Sequence, residues 1–452
     1  MKTILTASRS NWPGNVIMKI GIVSIVFLFC GLLKIQSAGL SETERQELKK
    51  EPLDSLSVKS PKLKVSGYMQ VQYQYAETDA DGYTFKTGNR ENRIEQEELK
   101  SFGRFGIRRG RIKITFDDGL VQTAFQTNIT EKGLNIIDAS LNVKDPWLGS
   151  NMFKAGIFET PFGHEVAYSA SLHESPERSR IMQSLFPDEC DLGVMLTLQP
   201  AATSPWHFLK LEAGLFAGNG IRLQIDSRMD FAGHLTATRA IGTNMTVSGG
   251  FSTYLGGMLQ YDSSVYTVKD QAFVLTGKSE SNIGKYAKRQ YVGLDAQFRM
   301  NTAAGLTHMR AEYISGIHPG NASCAYGFKY NAMESEGPVY MRKISGGYVL
   351  LSQELGRTPF TAVVKYDRYN PNTEISGNYI DSKGEITMSN FGFGFLWTVY
   401  QGLKMTAYYN IVKNETTDKL KNTTDTTGKI TAYGYENDRK DNVFTLRLQY
   451  KF

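Results

Sequence analysis

The stretch LKVSGYMQVQYQY, residues 63–75, alternates without a break. Leu63, Val65, Gly67, Met69, Val71, Tyr73 and Tyr75 share one phase, and Lys64, Ser66, Tyr68, Gln70, Gln72 and Gln74 share the other. A period of two means a β-strand with one apolar and one wet face. Soluble strands usually run about 5–6 residues. This one is longer and suits a tilted strand crossing hydrocarbon, for which about 9–11 residues suffice.

The pattern recurs to the C-terminus. Strands are expected at 63–75, 103–116, 120–129, 136–144, 152–159, 191–199, 206–216, 229–239, 244–254, 289–300, 305–315, 342–353, 358–369, 386–399, 402–412 and 442–452. That set is sixteen, an even number, as a closed bacterial barrel requires. Connections after the even-numbered strands are short and those after the odd-numbered ones long, the exception being 130–135 after the third. Such alternation is what periplasmic turns and extracellular loops produce. The last strand places Phe444, Leu446, Leu448, Tyr450 and Phe452 on one face and stops there. A strand that ends the chain with its face intact fits pairing with the first strand, which removes the sheet edge. The fold class is therefore all-β, a transmembrane antiparallel barrel.

Composition agrees. Hydrophobic residues make up 41% and charged residues 21% of 452, which excludes a bundle of membrane helices. The 24 Tyr and 24 Phe exclude wholesale disorder. Lys19, the apolar run 20–33 and Ser37-Ala38-Gly39 read as an export leader over residues 1–38, with Met18 as an alternative start. Residues 39–62 read as a charged periplasmic tail and 63–452 as the barrel. Loss of Lys2, Arg9, Lys19 and Lys34 with the leader brings the 51 basic residues close to the 45 acidic ones, so no nucleic-acid partner is implied. Cys190 and Cys324 remain and are free to pair or not.

Several stretches resemble the phosphate-selective porins of the O and P type. The densest is Ala155-Gly156-Ile157-Phe158-Glu159-Thr160-Pro161-Phe162-Gly163-His164-Glu165, followed by Glu177-Arg178-Ser179-Arg180, Leu185-Phe186-Pro187 and Asp191-Leu192-Gly193-Val194. Arg108-Arg109-Gly110-Arg111-Ile112-Lys113, Gly293-Leu294-Asp295-Ala296-Gln297, Arg310-Ala311-Glu312-Tyr313, Val364-Lys365-Tyr366-Asp367-Arg368-Tyr369 and Thr445-Leu446-Arg447-Leu448-Gln449 fit as well. The resemblance is dense over 104–197 and patchy elsewhere. It implies a sixteen-stranded homotrimeric porin in a Gram-negative outer membrane, with its third outer loop folded into the lumen. Phosphate is the implied solute. The terminal Phe452 resembles the signal read by the barrel-assembly machinery.

Phase assigns the lumen wall. With Ile112, Ile114 and Phe116 facing lipid, Arg109, Arg111 and Lys113 face inward. The same logic puts Lys154, Lys210, Glu212, Asp295, Arg299, His308, Arg310, Glu312, Lys404 and Arg447 inside, and in strand thirteen Lys365 with either Asp367 or Arg368. Arg108 falls in the lipid phase and is expected at the outer interface, unless a bulge at Gly110 shifts it. The wall leans basic, which favours small anions. The third outer connection, 160–189, carries Phe162, His164, Glu165, Glu174, Glu177 and Phe186 as constriction candidates and Arg178 and Arg180 as anion-binding candidates, and its Phe162, Leu172, Leu185 and Phe186 are expected to anchor it. Tyr68, Tyr254, Tyr291 and Tyr408 are read as wall filling. Trp206, Trp397, Tyr400 and Tyr450, among others, are candidates for the interfacial aromatic belts.

No catalytic set emerges. His164-Glu165 and His173-Glu174 lack the second histidine of a zinc-protease helix. No metal or cofactor site is expected, beyond a weak calcium-like run starting at Glu77. Two other readings stay open: a general or oligosaccharide porin, and a plugged barrel whose outer loops bind partners.

Overall fold

The computed structural model describes residues 61–77, 101–146, 150–322 and 337–452, the last range without 425, 427, 429 and 433. The leader and nearly all of the charged tail lie outside these residues. So do most of the calcium-like run and Cys324.

Sixteen antiparallel strands form one closed barrel: β1 Lys62–Ala76, β2 Phe102–Asp117, β3 Val121–Thr130, β4 Gly133–Lys144, β5 Met152–Glu159, β6 Cys190–Leu198, β7 Leu209–Phe216, β8 Asp230–Ile241, β9 Met245–Leu259, β10 Tyr286–Thr302, β11 Gly305–Gly320, β12 Val339–Glu354, β13 Phe360–Asn370, β14 Met388–Tyr400, β15 Leu403–Asn414 and β16 Val443–Lys451. Each pairs with its neighbours in sequence. β16 then pairs with β1 from Tyr68↔Lys451 to Ala76↔Val443. Phe452 completes the seam by exchanging backbone hydrogen bonds with Gly67 at 3.0 and 3.1 Å. No free edge remains, as hydrocarbon demands.

The burial pattern is inverted relative to a water-soluble sheet. Gln70, Gln72 and Gln74 are buried, whereas Val65, Met69, Val71 and Tyr75 on the opposite phase are exposed. On β2, Ile112, Ile114 and Phe116 are exposed as their phase required, and Phe105 is 79% exposed. An apolar exterior around a polar interior is stable against lipid, not water. Trp397 stacks on Phe360 at 6.1 Å near the short-turn end, and Tyr400 and Tyr450 are exposed at that end too.

All sixteen expected strands are present, with ends that differ. β1 takes in Lys62 from the expected tail. β7 starts at Leu209, so Trp206 lies in the preceding turn. The one exception to the short/long rule is a two-residue turn at Glu131-Lys132, because β4 begins at Gly133, whose φ of 123° suits glycine. The long connection between β9 and β10 is not a plain loop. It holds a hairpin, Ser264–Lys269 with Ala272–Lys278, whose Val265 and Tyr266 pair in parallel with Val339 and Tyr340 of β12. Phe273 and Val268 of the hairpin pack on Ile375, Ile380, Ile386, Met388 and Tyr435. Three outer connections therefore share one apolar core.

Arg108 departs from expectation. The β1–β2 register jumps between Gln70↔Arg109 and Val71↔Ile107, which leaves Arg108 as the bulged residue. The bulge sits two residues before Gly110, and it carries Arg108 to the interior, where it meets Glu177.

Gly156, at φ 122° on β5, packs so close to β4 that an added Cβ would collide with the Ala139 carbonyl. Gly156→Ala is expected to destabilise the barrel by about 1–3 kcal/mol, measured as a lower urea midpoint in detergent micelles with an unchanged slope.

Candidate functional site

The third outer connection, 160–189, runs from β5 to β6. It contains a single short helix, α1, Arg180–Leu185. Phe162, Val166, Ile181, Met182, Leu185 and Phe186 are buried in one cluster with the wall residues Phe158, Phe216, Tyr254, Tyr291, Ile314, Ile344 and Tyr369. Phe162 meets Phe186 at 5.0 Å and the edge of Tyr291 at 6.3 Å. Glycine is needed at 163. Its φ is 62°, a side chain there would strike Glu312, and its N–H donates to Ser252 Oγ at 2.8 Å. Leu172 does not act as an anchor. It is 49% exposed, because Ser171 and His173 on either side of it are tied down by their carbonyls.

Four glutamates bind the connection to inward-facing cations. Glu165 accepts from Lys365 Nζ at 2.7 Å and from the Ser179 N–H and hydroxyl at 2.9 and 2.5 Å. Glu177 takes a two-pronged contact from Arg108 at 2.7 and 2.8 Å, and further contacts from Arg447 at 2.9 Å and Arg109 at 3.4 Å. Glu189 pairs with Arg111 at 3.2 Å and with Arg178. Glu174 pairs with Arg310 and lies 3.5 Å from His308 Nδ1. Carbonyls do the rest. Lys404 donates to Ser171 and His173 at 3.4 and 3.1 Å, Gln449 to Ser171 at 2.9 Å, and Gln70 to Ala170 at 3.2 Å.

These pairings set the charge states. Burial alone would raise Glu177, but the guanidiniums of Arg108, Arg109 and Arg447 outweigh it and hold the carboxyl well below the usual range. Burial opposes ionisation of Glu189 too, and Arg178 and Arg111 bring it down to about 2. Burial, reinforced by Arg310, lowers His164 to about 4, and burial with Arg178 and Arg109 lowers His173 well below its ordinary value. Both histidines are therefore neutral at pH 7, while the glutamates are ionised.

The structure brings Arg109, Arg111, Arg178 and Arg447 together around Glu177 and Glu189. Arg310, Lys365 and Lys404 attach to other parts of the same connection. Lys154 and Arg299 are not in this group: Lys154 lies 3.9 Å from Glu159 and over the Phe158 ring, and Arg299 is exposed on β10. Lys113 pairs with Asp138 at 2.9 Å. Arg180 is fully buried, and its backbone N–H donates to Asp367 Oδ1 at 3.1 Å. Strand thirteen resolves to Lys365 with Asp367, which face Leu350 and Tyr348 in register. Tyr68, Tyr254, Tyr291 and Tyr408 are all buried in the wall.

Sequence reasoning gave Arg108 to the lipid phase unless a bulge shifted it, and passed over Glu189 and the Arg289–Asp230 pair, to which Tyr254 donates at 2.7 Å. The bulge hides Arg108 from any period-two reading. Arg289 and Asp230 stand at expected strand ends, where phase is weakest. Among the described residues, no three His, Cys, Asp or Glu side chains are arranged to hold a metal ion. Cys190 is buried and unpaired.

No protein-family model and no curated protein sequence matches the chain. Among solved structures it is similar to the anion-selective porin from Comamonas acidovorans, with a TM-score of 0.50 and 10% identity over 87% of this chain and 100% of that one. The outer membrane channel DcaP of Acinetobacter baumannii gives 0.49 and 11% over 87% and 97%. The trimer form of OmpT, an outer membrane protein of Vibrio cholerae, gives 0.49 and 10% over 87% and 100%. The first of these likenesses places the fold in the class of sixteen-stranded porin barrels.

Because Glu189 is depressed from its ordinary 4.5 to about 2, its pairing with Arg111 and Arg178 is complete above the ordinary value and is lost only as the pH falls towards 2. Single-channel current noise is therefore expected to stay flat from neutral pH through the ordinary carboxylate range. Glu177→Ala leaves three guanidiniums short of a carboxylate, a change that costs roughly 3–5 kcal/mol when the pair is buried. That variant should be noisy at neutral pH.

Proposed function

We propose that this chain is a passive channel for small hydrophilic solutes in a Gram-negative outer membrane. The leader over 1–38 directs export, 39–62 forms a periplasmic tail, and 63–452 inserts as a barrel through its terminal Phe452 and assembles as a homotrimer. The third outer connection lies inside the wall and sets the constriction. The chemistry is transfer without catalysis: polar side chains and water replace the hydration that a solute would lose in hydrocarbon.

Anions are preferred, with phosphate as the candidate solute. One observation carries this reading: among the described residues, five guanidiniums, Arg108, Arg109, Arg111, Arg178 and Arg447, share two carboxylate partners, Glu177 and Glu189. The excess positive charge sits in a narrow, low-dielectric passage, where it concentrates anions and repels cations. Arginine also suits the fork geometry of phosphate oxygens.

A general porin without anion preference is the second reading, and a different observation favours it. Away from that cluster four wall lysines are matched one to one with carboxylates: Lys113 with Asp138, Lys154 with Glu159, Lys210 with Glu212, Lys365 with Glu165.

Reversal potential in a planar bilayer under a KCl gradient separates the two. A potential directed to chloride is expected, with inorganic phosphate blocking the chloride current and with Arg109→Ala and Arg111→Ala each weakening the preference several-fold. A near-zero or cation-directed potential without block would leave only the general porin.

A further inference from the structure

With Lys365 and Asp367 turned to the lumen, Arg368 of β13 faces outward and is exposed. It does not stand alone. Arg368 is in register with Ser389 of β14, and Ser389 with Lys413 of β15. Lys413 is exposed and Ser389 half-buried. The three form one lateral row on the outside of the barrel. The row lies near the end from which the long connections 371–387 and 415–442 leave. Arg368 is close to the last residue of β13, Ser389 follows the first residue of β14, and Lys413 precedes the last residue of β15. By the alternation of short and long connections, that is the outer end.

The wall next to the row, on the side towards mid-membrane, is apolar. The adjacent outward row, Tyr366–Phe391–Ile411, is exposed throughout, and Val364 and Phe393 continue it. A cation that faces hydrocarbon is costly, and the cost falls away at the interface, so the row marks the level of the lipid headgroups. Its charge is unmatched. Lys343, outward on β12, has Glu374 at 2.7 Å. Among the described residues, neither Arg368 nor Lys413 has an ion-pair partner. Glu415, two residues beyond Lys413, accepts the Gly377 N–H at 2.9 Å. Between the cations, Ser389 Oγ accepts from the Tyr366 hydroxyl at 3.4 Å, which leaves the serine its own proton to donate.

We propose that Arg368, Ser389 and Lys413 bind the phosphate of an outer-leaflet lipid whose acyl chains lie along Tyr366, Phe391 and Ile411. Paired strands lie about 4.8 Å apart, so the two cations start about 10 Å apart and can close on one phosphate above Ser389. Arginine offers its fork, serine a hydroxyl and lysine a point charge. The apolar rows make the site a lipid's: free phosphate would use the cations and leave the wall beside them empty. A second copy of this chain would have to bring carboxylates to this row. The inference rests on insertion into a bilayer, not on what the channel conducts.

Native mass spectrometry of the full chain, released from micelles doped equally with phosphatidic acid and phosphatidylcholine, tests the site. Phosphatidic acid is expected to be retained preferentially, because the choline group would meet two cations. Arg368→Ala and Lys413→Ala should each weaken retention about tenfold, the value of one charge-assisted hydrogen bond, and Ser389→Ala about fivefold. Lys132→Ala, which removes the same charge from the turn between β3 and β4, should leave retention unchanged. Inorganic phosphate at millimolar concentration should not displace the lipid. Equal retention of the two lipids, equal loss in the Lys132 variant, or displacement by inorganic phosphate would overturn the proposal. So would a change in oligomer mass in the Arg368 and Lys413 variants without any lipid retained by the wild type, since the row would then be a contact between copies. Reversal potential reads the lumen and should be the same in these variants, so an anion preference that fails leaves this site standing, and a lipid site that fails leaves the anion preference standing.

Discussion

The whole molecule follows from the pairing of β16 with β1. Inside hydrocarbon no backbone N–H or C=O can be left without a partner, and a sheet meets that demand only by closing. Closure carries the period-two alternation around the full circumference, so outward positions are mainly apolar and most charges on the strands are turned inward. The interior of the seam is reinforced by amides. Gln70 donates to Gln449 at 2.7 Å, Gln74 to Thr445 at 3.1 Å, and Arg447 to Gln72 at 2.9 Å. The residues that seal the barrel from within are also those against which Ala170 and Ser171 of the third connection rest.

Charge crowding is the direct consequence. Arg108 shows how the chain handles it. In regular phase this side chain would face lipid, at about 2–4 kcal/mol if it stood at mid-depth. One bulge places Arg108 and Arg109 on the same side, and both reach Glu177. The local ladder is given up at one residue. In return the cation has a carboxylate partner and water within reach.

The strands were legible because lipid and lumen impose a two-residue period, and sixteen segments obey it. The interior aromatics Tyr68, Tyr254, Tyr291 and Tyr408 were legible by the same phase. What period two cannot reach is everything whose conformation is set across the barrel. The outer hairpin turns at Asp270 and Gln271, both at positive φ with no glycine or asparagine to announce them. Leu172 looked like an anchor by composition, yet its neighbours' carbonyls decide its exposure. Glu165, Glu174 and Glu177 were recognisable as candidates, but their partners were not, since Glu177 meets residues on β2 and β16, far apart in sequence and brought together only after closure.

The same pairings bear on how the connection behaves once it is in place. It is held at two levels, by an apolar cluster around Phe162 and Phe186 and by four ionised glutamates distributed over β2, β11, β13 and β16. Losing one partner of a buried pair costs roughly 3–5 kcal/mol. Lifting the connection would break several pairs together and expose the aromatic cluster to water at the same time. Thermal motion does not supply that sum, so these contacts keep the connection seated against the strands that hold it.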